Sequence, residues 1–305
     1  MGSIFPPHIR KKLVITSQNR TVEELLESLH LNTVCQSARC PNRNECFSRG
    51  TATFMIMGDI CTRGCRFCAV STGAPSPLDH EEPERVALAA TELSLKHVVI
   101  TSVTRDDLND GGAEHYRKTV LAVKGKLPHS TVEVLIPDFR GLNEGVKTAL
   151  SSEPDVLNHN IETIERLYPD VRPEADYQQS LKILSNAKKI SPDIITKSGI
   201  MLGMGEKPGE VIGAMKDLRR SDCDILTLGQ YLCPGKNHFP VKEYILPEQF
   251  EKYERIARDM GFLSVMSGPF VRSSFCAGEA LHEARKVRKS IPSFTKNSES
   301  GERLF

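Results

Sequence analysis

The chain has 305 residues, 39% of them hydrophobic and 26% charged, which excludes a disordered chain or a fibre and suits one large globular domain or two small ones. Lys+Arg 40 against Asp+Glu 39 leaves a net charge of +1, so no strong field points to nucleic acid or an anionic membrane as a partner. The apolar runs, of which His97–Val103 is typical, are far too short to cross a bilayer, and no basic-then-apolar leader opens the chain; the expectation is a cytoplasmic protein.

In chain order, residues 1–50 hold three cysteines and few strand signals. From residue 51, β-branched apolar runs alternate with stretches of helical periodicity. Strands are predicted over Thr51–Gly58, His97–Val103, Thr131–Pro137, Val156–Ile161, Ile194–Leu202, Ile225–Leu232 and Leu263–Met266. Helices are predicted between them over Glu84–Leu95, Ala113–Leu127, Leu142–Leu150, Tyr177–Ile190, Glu210–Arg220 and Pro247–Met260. Continuous apolar strands alternating with helices mean a parallel sheet covered by helices. Repeated this often, the pattern predicts an α/β fold, a partial (β/α) TIM-like barrel of about six to seven parallel strands. The expected division is an N-terminal extension (1–50), the barrel (51–266) and a C-terminal extension (267–305). That last segment carries Arg272-Ser-Ser-Phe275, a basic helix near Glu279–Lys289, and an end, Asn297–Phe305, that reads as frayed. Barrels of this kind collect function at the carboxyl ends of their strands, where Cys61–Cys68, Thr101–Asp107, Asn158–Asn160, Met201–Glu206 and Gln230–Leu232 fall.

Nine cysteines, an odd number, suit no closed disulfide framework. Six are clustered, as Cys35-x4-Cys40-x5-Cys46 and Cys61-x3-Cys65-x2-Cys68. In a cytosolic chain such clustering speaks for metal binding or chemistry rather than disulfides. A structural zinc site needs four closed ligands, often with His. Two trios can pool into one such site with two thiols to spare, yet Asn32–Val70 contains no His. An iron–sulfur cubane is normally held by four thiolates, and a trio leaves one iron open for chemistry. Cys223, Cys233 and Cys276 read as packing or incidental thiols.

The segment Cys61-Thr-Arg-Gly-Cys65-Arg-Phe67-Cys68 resembles the CxxxCxxC motif of radical S-adenosylmethionine (SAM) enzymes, including the aromatic residue before the last Cys. That resemblance implies a 4Fe–4S cluster on Cys61, Cys65 and Cys68 that chelates SAM and cleaves it to a 5′-deoxyadenosyl radical. With the upstream trio, Cys40-Pro-Asn and Arg272-Ser-Ser-Phe275, the chain is similar to the lipoyl synthase family. So do Ser102-Val-Thr-Arg-Asp-Asp-Leu, Gly111-Gly-Ala, Val134-Leu-Ile-Pro-Asp138, Asn158-His-Asn-Ile-Glu-Thr, Lys197-Ser-Gly-Ile-Met-Leu-Gly-Met-Gly-Glu206 and Gln230-Tyr-Leu point that way, so that the resemblance runs from Thr21 to Ala277.

The family resemblance implies a second 4Fe–4S cluster on Cys35, Cys40 and Cys46, with Ser274 as its fourth ligand. It also implies insertion of two sulfurs, at C6 and C8 of an octanoyl chain on a carrier lysine, with two SAM consumed. An oxygen ligand is harder and less well matched to an iron–sulfur site than thiolate, so Ser274 marks a labile, sacrificial corner. The implied partners are octanoylated lipoyl-carrier domains (dehydrogenase E2 subunits, the glycine cleavage H protein), an electron donor such as ferredoxin or flavodoxin, and an iron–sulfur carrier for cluster repair. Phe67, Ser102, Asn160, Gln230, Tyr231 and Leu232 are the candidates for cofactor binding. The alternatives are another radical SAM sulfur transferase (biotin synthase-like or methylthio-transferring) and a zinc-stabilised binding module.

Other features have plainer readings. Asp106, Asp107 and Asp110 read as helix caps or polar-loop residues rather than paired acid and base. His115 and His159 read as satisfied histidines, and Gly203-Met-Gly205 as a strand-to-helix turn or a border of the SAM site. Arg39, Arg43, Arg49, Arg63, Arg66 and Arg272 lie near ligands and can offset buried anionic charge. Arg285–Lys289 reads as a solvated helix face, with docking of an acidic carrier as the alternative. Two departures from the family pattern stand out: Cys233-Pro-Gly235 where Pro-Ser is usual, and Cys276, a thiol only two residues beyond Ser274.

Overall fold

A computed structural model describes residues 5–11 and 15–290; the supposedly frayed Asn297–Phe305 lie outside the described residues. The first part holds α1 (Ser17–Ser28), β1 (Asn32–Thr33), α2 (Val34–Ser37) and α3 (Arg43–Ser48). Then come β2 (Thr53–Ile56), the short β3 (Ile60–Cys61) and β4 (Ser71–Thr72), and α4 (Glu82–Glu92). The alternation continues through β5 (His97–Ser102), α5 (Ala113–Lys126), β6 (Thr131–Leu135), α6 (Asn143–Leu150) and β7 (Val156–Asn158). It ends with α7 (Tyr168–Val171), α8 (Tyr177–Ile190), β8 (Ile195–Leu202), α9 (Pro208–Arg220), β9 (Ile225–Gln230), α10 (Pro247–Asp259), β10 (Ser264–Gly268) and α11 (Ala277–Ser290).

The main sheet has the order β1-β2-β5-β6-β7-β8-β9-β10. All neighbours from β2 to β10 are parallel, and β1 joins β2 antiparallel with Asn32 opposite Met55. The seven expected strands are therefore all present. The eighth was missed in residues 1–50 because two residues cannot display a periodicity. β2 and β9 are buried at every position, as expected for parallel strands with both faces covered. Pro83, Pro208 and Pro247 open α4, α9 and α10, where an absent N–H removes no helical bond.

The barrel interior is polar at its heart. Glu133 of β6 and Lys197 of β8 are fully buried and 2.9 Å apart, with His97 Nε2 3.5 Å from Glu133. Burial alone pushes the Glu133 carboxyl up, but Lys197 and His97 outweigh it and bring it down to about 2. Below this pair a second apolar cluster joins Val156, Ile195 and Ile225, the first residues of β7, β8 and β9 or their neighbours, to Ala280, Leu281 and Ala284 of α11. The strands run parallel, so α11 closes the amino-terminal mouth of the barrel and leaves the carboxyl ends for the site. Arg285 and Arg288 of the basic run reach Asp155 (2.5 Å) and Asp224 (2.9 Å), which fasten that plug. At the other end, a Cβ on Gly229 would stand 2.1 Å from the Val271 carbonyl oxygen; glycine alone lets the C-terminal segment cross the top of β9.

Leu281→Ala should destabilise the chain by roughly 2–5 kcal/mol by opening a cavity under the plug, seen as a lower urea midpoint. Lys286→Ala, on the exposed face of the same helix, should stay within about 0.5 kcal/mol of the parent. Equal midpoints for the two variants would contradict this seat for α11.

Candidate active site

β3 pairs with β4 in parallel, Ile60 opposite Ser71 and Cys61 opposite Thr72, so a two-residue ladder closes the loop carrying Cys65 and Cys68. Cys61 Sγ accepts from the backbone N–H groups of Arg63 (3.4 Å) and Thr104 (3.3 Å). The buried Arg63 guanidinium forks onto Asp106 (2.6 and 3.0 Å) and Asp138 (2.9 and 2.7 Å), which follow β5 and β6. This clamp ties the loop to the carboxyl ends of the strands. Asp106 is thereby engaged, Asp107 is paired with Arg105 at 2.9 Å, and Asp110 accepts from Gly112 N and Glu114 N at the start of α5, both at 2.9 Å. The three carboxylates thus act separately, and their polar-loop and cap reading holds.

The second trio sits on two short helices and the turn between them, which carries Cys40. Thr33 caps α2, accepting from Gln36 N at 3.3 Å, and α2 carries the buried Cys35. Cys40 N donates to Cys35 O (3.1 Å), and Cys46 lies in α3. Asn42 Nδ2 donates to Phe270 O at 2.7 Å, which ties the N-terminal extension to the segment bearing Ser274. Lys11 pairs with Glu45 (2.6 Å) and stands over the rings of Phe270 and Phe275, so both extensions meet at one place.

Between these supports lies a cavity of about 540 Å³ whose walls include both trios and Ser274. Phe67, Ser102, Asn160, Tyr231 and Leu232 also line it. Gln230, the remaining candidate, is not part of that lining. Its amide donates to Tyr231 O and Glu243 O and accepts from Ile245 N, so it pins the loop before α10. Side chains alternate along a strand, and Gly229 and Tyr231 take the cavity side. Cys233 lines the cavity as well, whereas Cys276 does not; its charged neighbours are Glu279, Arg49 and Glu45. Of the two neighbours Ser274 and Cys276, only Ser274 lines the cavity with the trio.

The side chains suit iron–sulfur clusters and a polar cofactor. Among the described residues, no three His, Cys, Asp or Glu side chains converge on a point that one ion would fill. The thiols of each trio nevertheless act on one another through space. Burial, then neighbouring thiols, push Cys46 up to about 12, and burial carries Cys35 to about 11 and Cys68 to about 12. Such thiols keep their protons at neutral pH until a metal displaces them. Ser102 Oγ and His159 Nε2 are buried without a hydrogen-bond partner, and both residues line the cavity. His159 Nδ1 is 2.9 Å from Ile136 O, and burial lowers its pKa to about 4, so the ring is neutral: Nδ1–H donates and Nε2 is left as an acceptor. It is only half the satisfied histidine expected.

Two functional candidates escaped sequence reading. Glu162 holds a left-handed backbone (φ +64°) that turns it into the cavity wall, where burial pushes its carboxyl up against the pull of Arg172. Arg172, beyond α7, donates to the carbonyls of Asn160 (3.1 Å) and Ile161 (3.2 Å) and lies beside Cys65, while its Nε has no partner. Glu162 belongs to the Asn158–Thr163 stretch, a faint signal, but nothing local marks Arg172. Gly203 (φ +105°) forms a turn in which Glu206 accepts from Gly203 N and Met204 N, so the turn reading stands for that stretch.

Removing Arg63 leaves Asp138 buried and unpaired. Burial raises that carboxyl, but Arg63 overrides it and lowers it from 3.8 to about 2. A depressed carboxyl stabilises above its unfolded pKa and loses the contribution as pH falls through the folded one. Arg63→Ala should therefore cost about 3–5 kcal/mol at pH 7. The gap to the parent should narrow below about pH 4. Urea unfolding of the metal-free chain at both pH values checks this, and a pH-independent gap would contradict it.

A family model described as the radical SAM superfamily matches residues 55–218. The lipoyl synthase of Caldanaerobacter subterraneus subsp. tengcongensis is 57% identical over 283 residues, covering 93% of this chain and 99% of the relative. That of Alkaliphilus metalliredigens is 53% identical over 283 residues, 93% and 98% of the two chains. Among solved structures, methylornithine synthase superposes with a TM-score of 0.54 at 13% identity, covering 91% of this chain and 81% of its own. A maturase of the [FeFe]-hydrogenase gives 0.56 at 13% identity, 81% and 62%. Those two likenesses concern the fold alone. The sequence matches go further: the chain belongs to the radical SAM superfamily and, within it, to the lipoyl synthase family.

Proposed function

We propose that the chain inserts sulfur at C6 and C8 of an octanoyl group carried on a protein lysine, as a lipoyl synthase, using two clusters held by its own side chains. The observation that carries this reading is the single cavity lined by both cysteine trios and Ser274. Cys61, Cys65 and Cys68 would hold one cluster, and Cys35, Cys40, Cys46 and Ser274 the other. When bound, these groups and SAM supply what no side chain can, a one-electron reductant, a hydrogen-abstracting radical and a store of sulfide.

The protein's own part is positioning and exclusion of water. Arg63 holds the loop of the first trio against the strand ends. Glu162 and Arg172 offer a carboxyl group and a guanidinium on one wall, suited to hydrogen-bond the amino and carboxylate groups of the methionine moiety. Ser102 Oγ and His159 Nε2 offer free hydrogen-bonding positions beside them. Val103, Leu135, Ile136 and Ile200 give the cavity an apolar wall fit for an octanoyl chain, and such a wall protects a reactive radical from water.

In this reading residues 1–50 and 267–305 supply the second cluster's ligands, and residues 51–266 supply the radical-generating barrel. The partners are octanoylated carrier domains of dehydrogenase E2 subunits or of the glycine cleavage H protein, with a ferredoxin or flavodoxin as electron donor and an iron–sulfur carrier for repair. The cytoplasm is the compartment proposed. Among the described residues no helix is long and apolar enough to cross a membrane.

Anaerobic incubation with an octanoylated carrier peptide and SAM should add two sulfurs, read by mass spectrometry, and the loaded chain should hold about eight iron and about eight sulfide, as two cubanes require. No added sulfur from a chain so loaded would overturn the proposal. Ser274→Cys should keep both clusters yet slow sulfur transfer by about tenfold or more, ~1.4 kcal/mol of barrier, because the harder ligand is lost. Parental rates in that variant would remove Ser274 from its role.

A further inference from the structure

Behind the cavity, a relay of hydrogen bonds crosses the barrel to the segment that carries Ser274. Lys197 Nζ is 2.9 and 3.0 Å from the two carboxylate oxygens of Glu133. Asn158, at the end of β7, donates one amide N–H to Glu133 Oε1 (2.8 Å) and the other to Ser273 Oγ (2.7 Å). The Ser273 hydroxyl donates in turn to Asn160 Oδ1 (3.1 Å), and Asn160 Nδ2 donates to Glu162 Oε1 (3.1 Å). All of these residues but Ser273 belong to strands of the barrel or the turn directly after β7.

The direction of the relay is forced. An ionised carboxylate only accepts, so Asn158 must turn its NH2 group toward Glu133. Flipping the amide would set Oδ1 against the carboxylate. The second N–H is then committed to Ser273, and Asn158 Oδ1 is buried with no partner. An orphaned buried acceptor is destabilising, and keeping one marks a side chain retained for its orientation. The Ser273 hydroxyl accepts from Asn158 and spends its one proton on Asn160. Ser274, the next residue, faces the cavity with the trio and makes no hydrogen bond through its hydroxyl to the described residues.

We infer that Asn158, held by the Glu133–Lys197 pair, is a positioning residue that clamps Ser273 and thereby sets the direction in which Ser274 enters the cavity. The two serines divide the work: one anchors the segment, and the other is left free for the cluster. The purpose of the clamp rests on Ser274 being a ligand, as proposed above, but its existence does not.

The test uses the full chain with Ser273→Ala, which deletes only the anchoring hydroxyl, Ser273→Thr, which keeps one, and Asn158→Ala. Amide hydrogen exchange over residues 270–276 is read with and without iron. Release of iron from the loaded chain to a chelator is followed at the same time, with the electron paramagnetic resonance signal of the reduced clusters. Ser273→Ala and Asn158→Ala should speed exchange over 270–276 at least tenfold while residues 62–72 stay as in the parent. About half the iron should leave at least tenfold faster, with a changed signal from one cluster only, and Ser273→Thr should restore all three readings. Parental exchange in Ser273→Ala overturns the clamp, whether or not Asn158→Ala folds. Faster exchange with parental iron release and signal supports the clamp and overturns instead the assignment of Ser274 as a ligand.

Discussion

Arg63, gripped between Asp106 and Asp138, is the interaction on which the site depends. A loop of nine residues between two-residue strands has little reason of its own to hold one shape, because its few backbone bonds barely offset the entropy of ordering it. A bidentate guanidinium on two carboxylates from neighbouring strand ends fixes it in direction as well as in place. Asp138 is almost wholly removed from water, so the clamp is held by the need of each buried charge for the other. The same carboxylate accepts from Gln179 Nε2 at 2.7 Å, which extends the hold to α8.

The barrel applies the same principle repeatedly. Glu133 and Lys197 neutralise each other in its interior. His115 and Glu82, 2.7 Å apart and both buried, pair beside the end of β2, where Glu82 also accepts from Met57 N at 2.8 Å. In each case a charged side chain from one element closes on a group from another, and its desolvation is offset only when both elements are in register. Such pairs contribute modestly to net stability but penalise every other arrangement. The apolar plug of α11 at the opposite mouth completes the division: packing at the amino-terminal ends, polar chemistry at the carboxyl-terminal ends.

The two extensions add an edge strand, β1, and the α11 plug to the barrel, and they also decide what kind of site it is. Asn42 and Lys11 from one, and Phe270 and Phe275 from the other, meet over the second trio. The thiols of 35–46 and Ser274 are more than two hundred residues apart in sequence and line one cavity only because both extensions return to the same end of the sheet.

By itself the sequence determined the strands and helices of the barrel, since apolar period and β-branching are local properties that the fold only had to respect. It also determined the six clustered thiols, because ligand spacing along a short loop is covalent. The tertiary structure alone decided which strand-end residues face the cavity. Tyr231 and Gln230 are neighbours in sequence and lie on opposite faces, and pleat and register choose between them. It also decided the roles of Glu162, through a left-handed turn, of Arg172, through a contact with residues eleven and twelve positions earlier, and of Ser273 against Ser274. Each of those roles depends on which polar partner arrives from a distant element, and no local pattern encodes that arrival.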